Sequence, residues 1–283
     1  MPRTLDGTAP QTRLPAGSVD THMHLYSPAY PQLSPGSLIP QDCPGLAEYR
    51  QLQRWIGLER VVIVQPNAYR DDNRCMLEAM AEVGDSARGV VVVTPETSTA
   101  ELEAMHAQGA RGARIMQLPG GAVSVDQVLE VNAKIREFGW HCIVQFDGRE
   151  MLDRAPLLKQ IDNPYVIDHI GKYLGPVTTE SAEFKALLEL VDRGNCYVKI
   201  AACYESSHTG APEYADTAAL SRALIAHAPE RILWGSNWPH VSQSVEGAPN
   251  DAELLDRVCS WMPSRRVLEQ IFVHNPLALY DFQ

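Results

Sequence analysis

The 283-residue chain has no CxxC pair among its six cysteines, no apolar run long enough to cross a bilayer and no surplus of basic residues. Cys43, Cys75, Cys142, Cys196, Cys203 and Cys259 are scattered, which suggests neither a thiolate zinc site nor a dense disulfide framework; they read as reduced thiols. Lys and Arg number 24 against 35 Asp and Glu, a net charge of -11. That balance argues against a nucleic-acid or anionic-membrane partner, because phosphate recognition concentrates cations, although a local arginine could still take a small anion. The opening MPRTLDGTAPQTRLPAG is polar and proline-rich and lacks the apolar centre of a signal peptide, so a polar tail over 1–17 and a cytoplasmic location are expected. No linker, low-complexity segment or charge block divides the remainder of the chain, and 18–283 is expected to form one domain.

What is present is a repeated alternation of short β-rich runs and longer stretches of helical periodicity, the pattern of parallel βα units. The candidate strands are Ser18 to His24, Arg60 to Gln65, Ala87 to Val93, Gly112 to Met116, His141 to Phe146, Tyr165 to His169, Cys196 to Ala201 and Ile232 to Gly235. Leu46 to Ile56, Asn73 to Glu82, Val125 to Phe138, Glu183 to Val191 and Ala215 to His227 carry apolar residues at three- and four-residue spacing, as helices lying on a sheet require. Eight such units in one chain of this length predict an α/β fold closed as a (β/α)8 TIM barrel rather than an open doubly wound sheet. The longest loops, Tyr26 to Pro44 with its five prolines and Tyr173 to Ser181, come after strands and would rise over the catalytic face of such a barrel.

Chemistry-bearing residues fall at the strand ends. His22 and His24 form an HxH pair whose period of two sends both rings to one face. Paired imidazoles there could bind a metal, donate to a carbonyl or serve a structural purpose, and spacing alone does not choose. His169 ends the sixth strand beside Asp168, a pair costly to bury without partners; a capping Asp and a solvated His are the bland alternative. Asn237 and His240 lie just beyond the eighth strand in WGSNWPH. Lys199 could be a buried structural cation, and Tyr204 a loop aromatic without a ligand.

DTHMHLYSP, VIVQPN, GARGAR, VIDHIGK, YVKIAA, RILWGSNWPH and HNPLALY, in this order over nearly all of the chain after the tail, resemble the metal-independent lactonase branch of the amidohydrolase superfamily. The resemblance implies that His22, His24 and His169 donate hydrogen bonds to a lactone carbonyl and stabilise the oxyanion formed on it. It implies that Arg114 pairs with a substrate carboxylate, for which a guanidinium fork is suited, with a barrel salt bridge as the alternative reading. Gln65, Asn67, Gln145 and His240 fall where polar substrate contacts are expected.

Two departures from that pattern matter. Asn237 stands where the lactonases carry an Asp, and an amide cannot take a proton from water at neutral pH. The nucleophile is then expected to be a hydroxyl of the substrate, whose high effective molarity offsets weak activation, so that the product is an isomeric lactone. Gly120 replaces a further Arg of the pattern, and CYESSH after the seventh strand offers none either, which favours a hydroxylated monocarboxylate over a planar dicarboxylate. The expected function is isomerisation of a sugar-acid lactone with no metal or other cofactor, and the family resemblance implies D-galactaro-1,5-lactone as the substrate and the 1,4-lactone as the product. Hydrolysis by the same fold, with Asp168 or a histidine as base, and a metal-dependent decarboxylase are the alternatives.

Overall fold

All eight expected strands are present in the computed structural model, which describes residues 3–37 and 39–283; residues 1 and 2 of the anticipated tail and residue 38 of the first long loop lie outside the described residues. They are β1 (Val19–Met23), β2 (Arg60–Val64), β3 (Ala87–Val91), β4 (Ala110–Met116), β5 (His141–Gln145), β6 (Tyr165–Ile167), β7 (Cys196–Ile200) and β8 (Ile232–Trp234). They pair in parallel in sequence order. A bridge between Met23 and Trp238 joins the two ends of the sheet, supported by hydrogen bonds from Asn237 N to His22 O and from His24 N to Trp238 O, both 2.8 Å. The sheet is therefore a closed barrel.

Helices cover it. α1 (Leu46–Ile56), α2 (Arg74–Val83), α3 (Thr99–Ala107), α4 (Val128–Ile135), α5 (Met151–Leu158) and α6 (Ala182–Asp192) come after the first six strands; a short α7 (Cys203–Ser206) and the longer α8 (Ala215–His227) come after β7, and α9 (Asp251–Cys259), α10 (Arg265–Glu269) and α11 (Asn275–Leu279) after β8. The helix expected over 125–138 is α4 with a 3-10 turn at each end. None of the helices among the described residues is long and apolar enough to cross a membrane. All six cysteines are free.

Period-two alternation divides the strand residues between two cores. Val61, Ile63, Ala113, Val144, Val198 and Trp234 face the helices. Val19, Val62, Val64, Val90, Ile143, Val166 and Leu233 fill the barrel, closed at the amino-terminal end of the strands by Tyr280 and Phe282 from the end of the chain. Above this apolar plug the interior becomes polar, and the functional groups begin.

β1 departs from simple alternation. Its register against β2 runs from Asp20↔Val61 to Met23↔Ile63, one residue more on β1 than on β2. Such a bulge reverses which face the side chains take. Val19 points into the barrel, Asp20 and Met23 point out, and His22 and His24 are left facing the mouth.

The fully buried Asp20 fastens this bulge to β8 and α1. It accepts from the backbone N–H groups of His22 (3.0 Å) and Ser236 (2.9 Å), from Ser236 Oγ (2.6 Å) and from Tyr49 Oη (2.9 Å). Burial pushes its carboxyl pKa up, against the downward pull of these four donors. Asp20→Ala leaves all four unpaired in the interior, and urea unfolding is expected to show a loss of about 3 kcal/mol or more. A loss below ~1 kcal/mol would show that the network does not secure the barrel seam.

At the other end of the chain's path, the backbone N–H groups of Gln11 and Thr12 donate to the Asp256 carboxylate on α9 at 2.8 and 2.7 Å, and Arg3 pairs with Asp42 at 2.6 Å. The first segment thus runs along the barrel rather than away from it.

Candidate active site

Seven of the eight strands end one to two residues earlier than their apolar patterns suggest, β4 ending at Met116 as expected, because the residues beyond the ladder have turned to build a site. His169 leaves the β conformation with φ 48° and opens a 3-10 turn. Six of the ten non-glycine residues at positive φ among those described lie at the ends of β6, β7 and β8: His169, Ile170, Lys172, Ala202, Asn237 and His240. Each such conformation costs on the order of 1–3 kcal/mol, which surrounding contacts must offset, and such residues concentrate where geometry serves function.

A cavity of about 370 Å³ opens here. Of the anticipated residues, His24, Asn67, Arg114, Gln145, His169 and Asn237 line it, and Gly36 and Ser37 of the first long loop form part of its rim. The second loop does not reach it; Tyr173 and Pro176 border a separate, more apolar pocket. His22, Gln65 and His240 stand behind the wall. Gln65 donates through Nε2 to the carbonyls of Arg70 (3.2 Å) and Asp72 (2.7 Å), shaping the loop after β2. His240 lies between Tyr204 Oη (2.8 Å) and Asp251 (3.1 Å).

Arg114 is 5% exposed, and its guanidinium is only partly occupied by protein. Nη1 donates to Gln65 O at 2.6 Å and Nη2 to Gln145 Oε1 at 3.3 Å, while Nε is buried without a partner. A buried cation with unused donors on a cavity wall is suited to an anion that completes it. Asn67 is similarly open, since Nδ2 meets only the weak acceptor Met116 Sδ at 2.8 Å.

The histidines form a chain whose proton positions are set by their partners. His24 Nδ1 lies 2.8 Å from Val64 O, a pure acceptor, so Nδ1 carries the proton. Burial, with Arg114 nearby, lowers the His24 pKa to about 3, and the neutral ring presents Nε2 as a lone pair. His22 Nε2 lies 3.3 Å from it, and His22 Nδ1 lies 3.3 Å from both Lys199 Nζ and Asp168 Oδ1, a donor and an acceptor that favour opposite tautomers of the ring. Donation from His24 to a carbonyl would need a second ring proton at Nε2, and His22, wholly buried, touches His24, His169, Asp168 and Lys199 and does not line the cavity. Burial lowers His169 as well, against the opposing charge of Asp168.

Asp168 lies beneath them, 3.3 Å from His22 Nδ1 and 3.7 Å from His169 Nε2. Burial raises its carboxyl, but the neighbouring His169, His22 and Lys199 outweigh that and hold it well below the ordinary carboxylate range. His22, Asp168 and His169 bring three ligand-type atoms within 4.8 Å of one another. Lys199 answers the question of a metal. Its Nζ donates to Thr21 O at 2.8 Å beside His22 Nδ1, and although burial lowers its pKa to about 8 it is mostly charged at neutrality. A divalent cation drawn to His22 and Asp168 would meet this ammonium, so the cluster does not fit a metal ion.

The cavity also holds a carboxylate that the strand-end pattern did not point to. Glu205 on α7, within the arginine-free CYESSH segment, is ion-paired with Lys172 of the HIGK turn and accepts from Ser242 Oγ at 2.7 Å. Asn237 Nδ2 donates to Glu205 Oε1 (3.2 Å) and to Tyr204 Oη (2.8 Å), which fixes the amide's orientation. The Asp absent from position 237 is thus not the whole account of the cavity's carboxylates: Glu205 is present, bound to a cation and two further donors.

The model of the Amidohydrolase family matches residues 19–282. D-galactarolactone isomerase of Agrobacterium fabrum is 45% identical over 98% of this chain and 96% of its own. A 2-pyrone-4,6-dicarboxylate hydrolase of Comamonas testosteroni is 29% identical over 96% of this chain and 92% of its own. An apo crystal structure from Agrobacterium tumefaciens superposes with a TM-score of 0.95 at 44% identity, covering 99% of both chains. With its closed barrel, its histidine pair at the end of β1 and this match over nearly its whole length, the chain belongs to the amidohydrolase family.

Proposed function

We propose that the chain is a lactone isomerase that converts D-galactaro-1,5-lactone to D-galactaro-1,4-lactone without a cofactor. The substrate's C4 hydroxyl oxygen bonds to C1, the bond from C1 to ring oxygen O5 breaks, and a proton passes from O4 to O5. Arg114 holds the free carboxylate, and Asn67 and Gln145 contact hydroxyls. His24 and His169 face the lactone carbonyl. His169 is the donor to the carbonyl oxygen, and His22, held at Nδ1 by Lys199 and Asp168, positions the His24 ring. Gln65 and His240 act as positioning residues, the first through the loop after β2 and the second through Tyr204 and Asn237.

The observation that carries this reading is the state of the carboxylates around the cavity. Position 237 is an amide held between Tyr204 and Glu205, and Glu205 itself is paired with Lys172. Asp168 is buried beneath the histidines and does not line the cavity, and among the described residues Glu205 is the one carboxylate that does, so a nucleophile carried by the substrate has the advantage over water. The name of the 45% identical relative supports the substrate. Hydrolysis is the second reading, favoured only by Glu205, whose carboxylate could serve water if it were released from Lys172.

Nuclear magnetic resonance of the product decides between them. D-galactaro-1,5-lactone in ¹⁸O-labelled water is expected to yield the unlabelled 1,4-lactone. A ring-opened diacid that forms faster than the 1,4-lactone and carries solvent oxygen would sink the reading.

A further inference from the structure

Lys172 and Glu205 have no part in the roles assigned to the other cavity residues, yet both line the cavity, with side chains only 10% and 9% exposed. Glu205 Oε1 accepts from Asn237 and Ser242, and Oε2 accepts from Lys172. A carboxylate offers about four acceptor positions, so these donors leave one, on Oε2 and beside the ammonium. Burying such a pair purely for stability brings little, because well-packed apolar residues often do as well.

We propose that this pair is a closed proton relay for the isomerisation, an inference that rests on the isomerase reading. As O4 bonds to C1, the C4 hydroxyl gives its proton to Glu205 Oε2. As the bond from C1 to O5 breaks, the Lys172 ammonium gives a proton to O5. The carboxylic acid then returns its proton to the Lys172 amine across their hydrogen bond. One carbon–oxygen bond forms and one breaks, and no proton leaves the site. O4 and O5 sit on neighbouring carbons, as the acceptor and the donor sit beside each other on the protein.

The two transfers assist each other. Burial would raise the Glu205 carboxyl, but the Lys172 charge, with His169 second, outweighs it and holds the group at about 2. When Lys172 releases its proton, the chief charge opposing protonation of Glu205 disappears and its proton affinity rises in step. At rest the same pairing leaves Glu205 too weak a base for bulk water, whereas a hydroxyl held at its target needs less help.

The test uses purified full-length protein, D-galactaro-1,5-lactone and three variants: Glu205→Gln, Lys172→Met and the double variant. Wild-type product alone judges the isomerase reading. Given an isomerising wild type, each single variant is expected to lose about 10²-fold in kcat or more, with little change in KM. The double variant, in which neither charge is left unpaired, is expected to regain the wild-type melting temperature while its kcat stays at the level of the single variants. A kcat within about threefold of wild type in either single variant, or a kcat that recovers together with the melting temperature, overturns the relay and makes the pair structural.

Discussion

Arg114→Met is expected to lower kcat/KM for the lactone by about 10³-fold, equivalent to ~4 kcal/mol, without weakening the fold. The guanidinium is buried at the cavity wall with Nε unpartnered and only Nη1 and Nη2 engaged, so much of its hydrogen-bonding capacity awaits a ligand. In the proposed complex a substrate carboxylate would complete it bidentately, whereas methionine would offer that carboxylate nothing and leave it desolvated. The same substitution removes a buried cation whose charged form burial disfavours but takes a donor from Gln65 O and Gln145 Oε1, so the melting temperature is expected to stay close to that of the wild type. Arg114→Lys is expected to lose most of the activity too, because a point charge cannot reproduce the fork. A neutral aldono-1,5-lactone without the second carboxylate is the control: its kcat/KM is expected to be similar in wild type and Arg114→Met. Equal losses on both substrates would assign Arg114 to the scaffold through Gln65 and Gln145 instead of to the carboxylate.

The barrel was legible because each of its layers writes its burial into the chain. Val61 to Val64 is a short, wholly apolar run because the strand is buried on both faces, Leu46 to Ile56 carries helical spacing because it is buried on one, and both ranges match the observed elements closely. The bulge in β1 was hidden. VDTHMH reads as unbroken alternation, while the extra residue that turns Asp20 outward and His22 and His24 toward the mouth is set by pairing with β2 and by the Ser236 and Tyr49 contacts.

Polarity at a strand end was a good guide to location and a poor one to role. Gln65 and His240 carry the same signal as Asn67 and Asn237, but their hydrogen bonds go to a loop carbonyl pair and to Tyr204 and Asp251. Lys172 and Glu205 lie in the VIDHIGK and CYESSH segments, but nothing in either segment marks them as a pair. They are 33 residues apart and meet only because the turns after β6 and β7 rise side by side. That pairing is a product of barrel closure, which no local spacing records.

Asn237→Asp tests the remaining link between the amide and the reaction choice, and its outcome depends on Glu205. In the native site Asn237 Nδ2 lies 3.2 Å from Glu205 Oε1, so aspartate there sets two carboxylate oxygens against each other. Lys172 can neutralise only one of the two, which favours a proton on the other. The single variant is therefore expected to lose about 10²-fold of its isomerase turnover and to gain only slow hydrolysis, since the new base is largely neutralised by its neighbour. Adding Glu205→Gln removes the competing charge and supplies an amide that can donate to the introduced carboxylate in the reverse sense. The double variant is expected to open the lactone to the diacid with one solvent oxygen per turnover, at least about tenfold faster than Asn237→Asp alone. If Asn237→Asp hydrolyses efficiently by itself, the carboxylates are not coupled and Glu205 has no part in deciding what attacks the carbonyl. If neither variant hydrolyses, a proton acceptor at position 237 is not what separates ring contraction from ring opening.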